Sequence, residues 1–439
     1  MANTMVIEGV TAAFNRGAAE ARAAGSPEWL REKRLHAWQV YEETPFPTRK
    51  VEEWRYTDVS QFSLESVRLA ERAGAGVVVP AAARARLEGK KAAGRVLVVG
   101  ADVAAIELDE ELRAKGVILA DLAAAAETHP DLVMTHLGTK ALPAEAGKFA
   151  ALNGALWASG IFLYVPRGVR VEEPIRVVRW IEEEGTAVFP RTLIIAEAQS
   201  HVAYVEEFAS PDFEAPTLSC GVVEVFARDG ADVQYVALQQ WGKGVRHLSL
   251  QKTIAEKDSN LDTLVVNLGG SVARVDLGAR LEGTGSRSDM LGLYFATGDQ
   301  HFDHNTRQDH VVPHATSDLL YKGALYDRSK TVFRGIIRVH PKAQKTDAYQ
   351  TNRNLLLSPD AEAVSLPNLE IEADDVRCSH GSTVGQLNEE ELFYLMSRGL
   401  TRQAAERLVI FGFFGEVLER LPLPDVVEEL KTAIAARIG

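Results

Sequence analysis

Cysteine is nearly absent from this 439-residue sequence: only Cys220 and Cys378 occur, far apart, and there is no C-x-x-C pair. That excludes a disulfide framework and fits a reducing, cytoplasmic setting. Structural zinc and iron–sulfur clusters take about four ligands, so a cluster handled through Cys378 must draw ligands from another chain. No run of about 18 apolar residues is present, and no membrane-spanning helix is expected. The opening MANTMVIEGV lacks the basic region and apolar run of a secretory signal. Positive charge is also in deficit: 48 Lys and Arg against 61 Asp and Glu leave a net charge of −13, which argues against a nucleic-acid binder. No GxxxxGK[ST] loop is present for ATP, and no G-x-S-x-G or Ser/His/Asp arrangement suggests hydrolysis. The sequence does not read as an enzyme.

What is present changes character along the chain. Residues 1–150 read as a helical and mixed α/β region. SPEWLREKRLHAWQVYEET predicts a helix with Ser26 as N-cap and Pro27 at its first position. Pro45 and Pro47 then end it, and PFPTRKVEEWRYTDV reads as an ordered turn. RVLVVG reads as a buried strand and DLAAAAETH as a helix. Residues 151–386 alternate β-branched and aromatic residues with polar ones, punctuated by small turns. Six turns align on Ser200, Ala231, Asn260, Ser286, Thr316 and Gln344, at spacings of 31, 29, 26, 30 and 28. Repeats of this length predict a β-solenoid with two strands per turn. A β-sandwich, the alternative, turns every 8–12 residues. Residues 387–439 return to helical spacing. Asn388 and Glu391 form an N-x-x-E cap, Gly399 stops that helix, Thr401 caps the next, and Pro424 opens the last. The terminal helical regions are expected to cover the solenoid's ends.

Three stretches carry candidate chemistry. RCSHGSTVG holds Cys378 and His380 two positions apart, facing the same way on a strand. Neutral imidazole is a good iron ligand; the plainer alternatives are a hydrogen-bonded turn histidine and a packed cysteine. HFDHNTRQDHVVPH offers His301, His304, His310 and His314 with Asp303 and Asp309. Extended, the last three histidines spread over ~30 Å, so the stretch reads as a polar solenoid edge or an interface. FGFFG, residues 411–415, is either an exposed aromatic surface or a buried helix face.

RCSHGSTVGQLNEEELFYLMSRGL, FPTRKVEEWRYTDV, SDLLYKGALYDRSKTVFRGIIRV and KTDAYQTNRNLLLS together resemble the SufB/SufD family of iron–sulfur cluster assembly subunits. The resemblance is strongest over residues 290–415 and thinner over 60–150. It is of the SufD type, because C-S-H-G stands where the SufB type carries an H-E-A motif. It implies a mainly β protein: a right-handed parallel β-helix flanked by N- and C-terminal helical domains. It implies a non-enzymatic scaffold that pairs with SufB through the β-helix and docks the SufC ATPase through its C-terminal helices, and that is a homodimer when isolated. Tyr394, Arg398, Gly399, Leu400, Phe411 and Phe414 are the expected ATPase contacts. His380, with Cys378, is the expected metal site, sharing a transient iron–sulfur cluster with the partner; the isolated chain holds no cofactor tightly. Removing residues 388–439 is expected to abolish ATPase docking and leave the β-helix folded. The alternatives are a SufB-type scaffold and a β-helix carbohydrate-active enzyme. The latter is disfavoured by the acidic charge and the missing signal.

Overall fold

The computed structural model describes residues 14–438; the MANTMVIEGV stretch read above lies outside them. From Ile161 to Gln386 the chain winds through eight two-stranded coils, from Ile161–Val165 and Ile175–Trp180 to Glu362–Ile371 and Arg377–Gln386. Alternate strands stack into two sheets, each pairing parallel with the strand one coil before and after. Asp232 pairs with His201, Asn260 with Asp232, Arg287 with Asn260, Thr316 with Arg287 and Asp347 with Thr316. The solenoid is therefore a parallel β-helix, and the sandwich alternative falls away.

The turns at one corner share a physical rule. A residue at positive φ precedes a small, buried residue: Gln199–Ser200, Gly230–Ala231, Asp258–Ser259, Gly285–Ser286, His314–Ala315 and Lys345–Thr346. The left-handed residue makes the corner, and only a small side chain fits inside it. Ser200, Ser259 and Thr346 each donate their hydroxyl to the carbonyl three residues back, at 2.6–2.9 Å. The sequence alignment therefore had the right column at Ser200, Ala231 and Ser286. It was one residue late at Asn260 and Thr316 and two early at Gln344.

Inside the later coils, large and small side chains interlock. Gly292 pairs with Tyr321, and Tyr294 with Gly323, so each tyrosine ring lies over the glycine of the adjacent coil. A Cβ on Gly323 would stand 1.8 Å from the Tyr294 ring. The Tyr294 hydroxyl reaches across that gap to Asn354 Oδ1 at 2.6 Å and accepts from Asn352 Nδ2 at 3.0 Å. Asn354 and Ser365 both donate to Asn352 Oδ1. A polar thread thus runs through the core with its groups paired, as burial of polar atoms requires.

The two ends are treated differently. At the N-terminal end the sheets continue into the preceding region. Gly94–Val99 pairs parallel with Ile175–Trp180 and antiparallel with Asp102–Leu108, while Ile118–Asp121 pairs antiparallel with Ile161–Val165. The helices Arg16–Ala23, Glu28–Glu43, Leu122–Thr128 and Lys148–Leu156 pack beside these first coils. The Glu28–Glu43 helix has Pro27, not Ser26, at its N-cap, and no side chain caps it.

At the far end Glu362–Ile371 and Arg377–Gln386 each have a neighbour on one side only. The C-terminal helices do not cover this end, contrary to expectation. Ile410, Phe414, Val417 and Leu418 of the helix Arg402–Glu419 and Val426, Leu430 and Ile434 of Pro424–Ile438 instead bury the outer face of the second sheet. There they meet Val236, Leu238, Leu264, Leu291, Leu293 and Leu320. The reason is hydrophobic: that outer face is apolar and must be removed from water. Deleting residues 388–439 would strip this cover, so the truncated β-helix would not remain a clean soluble domain.

Candidate functional site

Two regions stand apart as incomplete surfaces. The first is the open rim. His380 pairs in register with Gln350 and Cys378 with Ala348. Gln350 and Ala348 are buried and face the interior, so His380 and Cys378 continue the interior columns past the last covering coil. His380 is exposed and Cys378 half-buried for that reason. Strand alternation puts both side chains on one face, ~7 Å apart along the backbone. Burial first, and then the nearby Asp347 carboxylate, pushes the Cys378 thiol above its ordinary range, while a hydrogen bond from the Ala348 backbone opposes them. Metal ligation there must expel a proton from that thiol. Among the described residues no three His, Cys, Asp or Glu side chains gather into a metal-holding group, so the rim is at most part of a ligand set.

Cys220 is no alternative ligand. It is fully buried, and burial pushes its thiol up to about 12. The histidine-rich stretch is not a solenoid edge. His301, His304 and His310 lie on one strand, all buried. The His304 ring stacks on Tyr294 at 4.6 Å, and its Nε2 meets Asn267 Nδ2 at 2.6 Å. His310 Nε2 meets Ser317 Oγ at 2.7 Å. Burial pulls both imidazoles down to about 4, so they are neutral packing residues. His301 is held by Thr57 from the N-terminal region at 2.8 Å, and His314 makes a corner at φ 61°.

The second surface lies on the C-terminal helices. The Asn388 side chain caps Glu389–Ser397 by accepting from the Glu390 and Glu391 amides, and Thr401 caps Arg402–Glu419 by accepting from Ala404. Gly399, at φ 94°, makes the turn between them. Buried Leu392 and Ala405 hold the pair together. Outside, Phe393 is 73% exposed, Tyr394 56% and Leu408 54%, with Met396 and Leu400 exposed beside them. Arg398 lies over the Tyr394 ring at 5.2 Å. A shallow recess of about 420 Å³ runs between Asn388, Tyr394, Leu395 and Val409. Large apolar side chains left exposed on one helical pair are candidates for a contact surface.

The expected contacts divide here. Tyr394, Arg398, Gly399 and Leu400 lie on the exposed surface. Phe411 is half-buried, with Arg407 over its ring. Phe414 is fully buried against Phe295 and the sheet, so it anchors the helix and cannot meet a partner. Phe393, Met396 and Leu408, exposed on the same helices, were not among the residues singled out. Phe393 adjoins Tyr394, and Leu408 falls off the apolar stripe Ile410, Phe414, Val417, Leu421, which is the signal that could have found it.

The chain matches the family described as SUF system FeS cluster assembly, SufBD core domain, over residues 179–413. It matches the SufBD protein N-terminal region over residues 12–177. It is 31% identical over 420 residues to the iron-sulfur cluster assembly protein SufD of Bacillus subtilis (strain 168), covering 94% of each chain. It is 30% identical over 321 residues to SufB of the same organism, covering 73% of this chain and 69% of that one. An iron-sulfur cluster assembly SufBD family protein of Staphylococcus haemolyticus is 28% identical, with 92% of this chain and 88% of that protein covered. Among the described residues no helix is long and apolar enough to cross a membrane.

Proposed function

Because the chain belongs to the SufBD family of iron–sulfur cluster assembly proteins, we propose that it is the SufD-type scaffold subunit, without enzymatic activity of its own. The observation that carries this is the open rim: two unpaired strand edges, one of which carries His380 and Cys378. Unpaired edges demand a partner strand, and two ligand-type side chains demand further ligands. A SufB subunit seated on this rim meets both demands, with the nascent cluster as shared cargo. Absent SufB, a second copy of this chain fills the same edge, which makes the isolated protein a homodimer. The Phe393, Tyr394 and Leu408 surface docks the SufC ATPase. The fuller span of the match to SufD than to SufB supports the SufD type. So does the chemistry of Cys220, which burial makes unfit for building a cluster.

The test is iron and sulfide content of the complex co-expressed with SufB and SufC. His380→Ala leaves an exposed rim residue's neighbours in place, so folding and SufC binding should be unchanged while cluster loading falls. Wild-type loading in the His380→Ala complex would refute the ligand role.

A further inference from the structure

A cleft of about 400 Å³ opens on the outer face of the first sheet, the sheet that does not carry His380 and Cys378. Its floor is the strands Val245–Ala255, Val272–Leu281, His301–His310 and Lys330–Val339. Its roof is Val51, Glu53 and Trp54 of the N-terminal region, with Leu142 and Ala146. Across the floor Lys252 pairs in register with Gly278, and Gly278 with Arg307. The bare glycine between them leaves the lysine free to lie across the strand. A Cβ there would meet Lys252 Nζ at 2.8 Å and Cδ at 3.0 Å, so the lysine side chain lies over the bare glycine toward Arg307.

The charges around this pair are otherwise settled. Arg274 bonds Asp276 at 2.9 Å and Asp303 at 2.5 Å. Arg334 bonds Glu52 at 3.0 Å and Glu53 at 3.2 Å. Arg280 bonds both Glu282 and Asp309 at 2.6 Å, and Asp309 also accepts from His340 at 2.9 Å. Every carboxylate of the neighbourhood is thus engaged. Among the described residues the Lys252 ammonium and the Arg307 guanidinium have no ion pair and no hydrogen bond. Lys252 is half-buried. Burial lowers its pKa most; Asp309 raises it at longer range, and Arg280 and Arg307 lower it further. Two like charges facing one cleft across a glycine, one of them short of water, repel each other and favour a negative group between them.

We propose that this cleft binds a phosphoryl dianion between Lys252 and Arg307, either inorganic phosphate or the phosphate of a small metabolite. Point-charge ammonium and forked guanidinium are the two side chains that hold phosphate oxygens. The roof leaves room for an organic moiety behind the phosphate.

The experiment is calorimetric titration of the full chain with inorganic phosphate, pyrophosphate and ribose 5-phosphate, with chloride as background. The expected result is saturable binding of at least one, weakened roughly tenfold or more by Arg307→Gln, an exposed change, and by Lys252→Met. Gly278→Ala, which displaces Lys252, should weaken it comparably. Thermal melting without ligand checks that the variants fold. Tight binding of ribose 5-phosphate alone identifies a metabolite site; equal binding of inorganic phosphate identifies a free-anion site. No binding of any of the three up to roughly 10 mM, or binding that Arg307→Gln leaves within about twofold, overturns the proposal.

Discussion

Acidification should weaken this protein by an amount that one interior histidine makes measurable. In the fold, burial holds His304 at about 4 against an ordinary value of 6.5. Its folded pKa is depressed, so the neutral ring's contribution is fully present above about pH 6.5. Below that the unfolded chain takes up a proton which the folded chain refuses, and stability is lost down to about pH 4. The whole window corresponds to on the order of 3 kcal/mol, of which about 2 kcal/mol falls between about pH 7.5 and about pH 5. His310 and His247 sit in the same situation, at about 4 and about 3, so wild type alone would not isolate His304. His304→Gln does, because glutamine can still face Asn267 but cannot titrate. Urea unfolding followed by tryptophan fluorescence reads the difference. With m of about 3 kcal/mol/M, the wild-type midpoint should drop ~0.7 M further than the variant's over that pH interval. Equal drops in the two proteins would mean that His304 is hydrated or already charged in the fold, and the sealed interior would be refuted.

The apolar surface and the apolar anchor of the C-terminal helices should separate cleanly. Phe393→Ser with Leu408→Ser should abolish SufC binding in a pull-down and leave the melting temperature near wild type. Phe414→Ala should cost about 3–5 kcal/mol by leaving a cavity against the sheet, measured by denaturant unfolding; a neutral Phe414→Ala would contradict its burial. Gly323→Ala should destabilise by about 2–4 kcal/mol, since the added methyl group drives Tyr294 off Asn354 and Asn352. Normal melting of that variant would argue against the interlocked tyrosine–glycine pairs.

The β-helix was legible because each coil repeats one physical problem: a corner followed by a strand of alternating burial. The register was less legible, since alignment by resemblance of letters favoured Asn260 and Gln344 over Ser259 and Thr346. The conserved quantity of the corner is size and backbone sign. The left-handed residue is Gln199, Gly230, Asp258, Gly285, His314 or Lys345, and no single letter marks the column. The helix caps at Asn388 and Thr401 were local and could be read directly. Where the C-terminal helices dock was not local. It depends on Val236, Leu264 and Leu291 facing outward from three different coils, a pattern visible only once the register is known. Phe414 was assigned to the surface for the same reason: an aromatic between glycines looks available until its i−4 and i+3 neighbours, Ile410 and Val417, are placed on the sheet. The rim at His380 was placed by motif, and its interior-facing orientation followed only from pairing with Gln350.

The uncapped coil is the last coil of the solenoid to be synthesised, and only the helical region from residue 387 onward follows it. At about 5–20 residues per second a ribosome delivers a coil every few seconds, and each new coil finds a finished template already covered from behind by the N-terminal region. Every intermediate length therefore presents a growing edge that its own next segment closes. Only the last coil keeps an edge that no later coil covers among the described residues. Exposure is in this way confined to the last coil, where a strand from another chain, rather than the next coil of the same chain, is best placed to meet it.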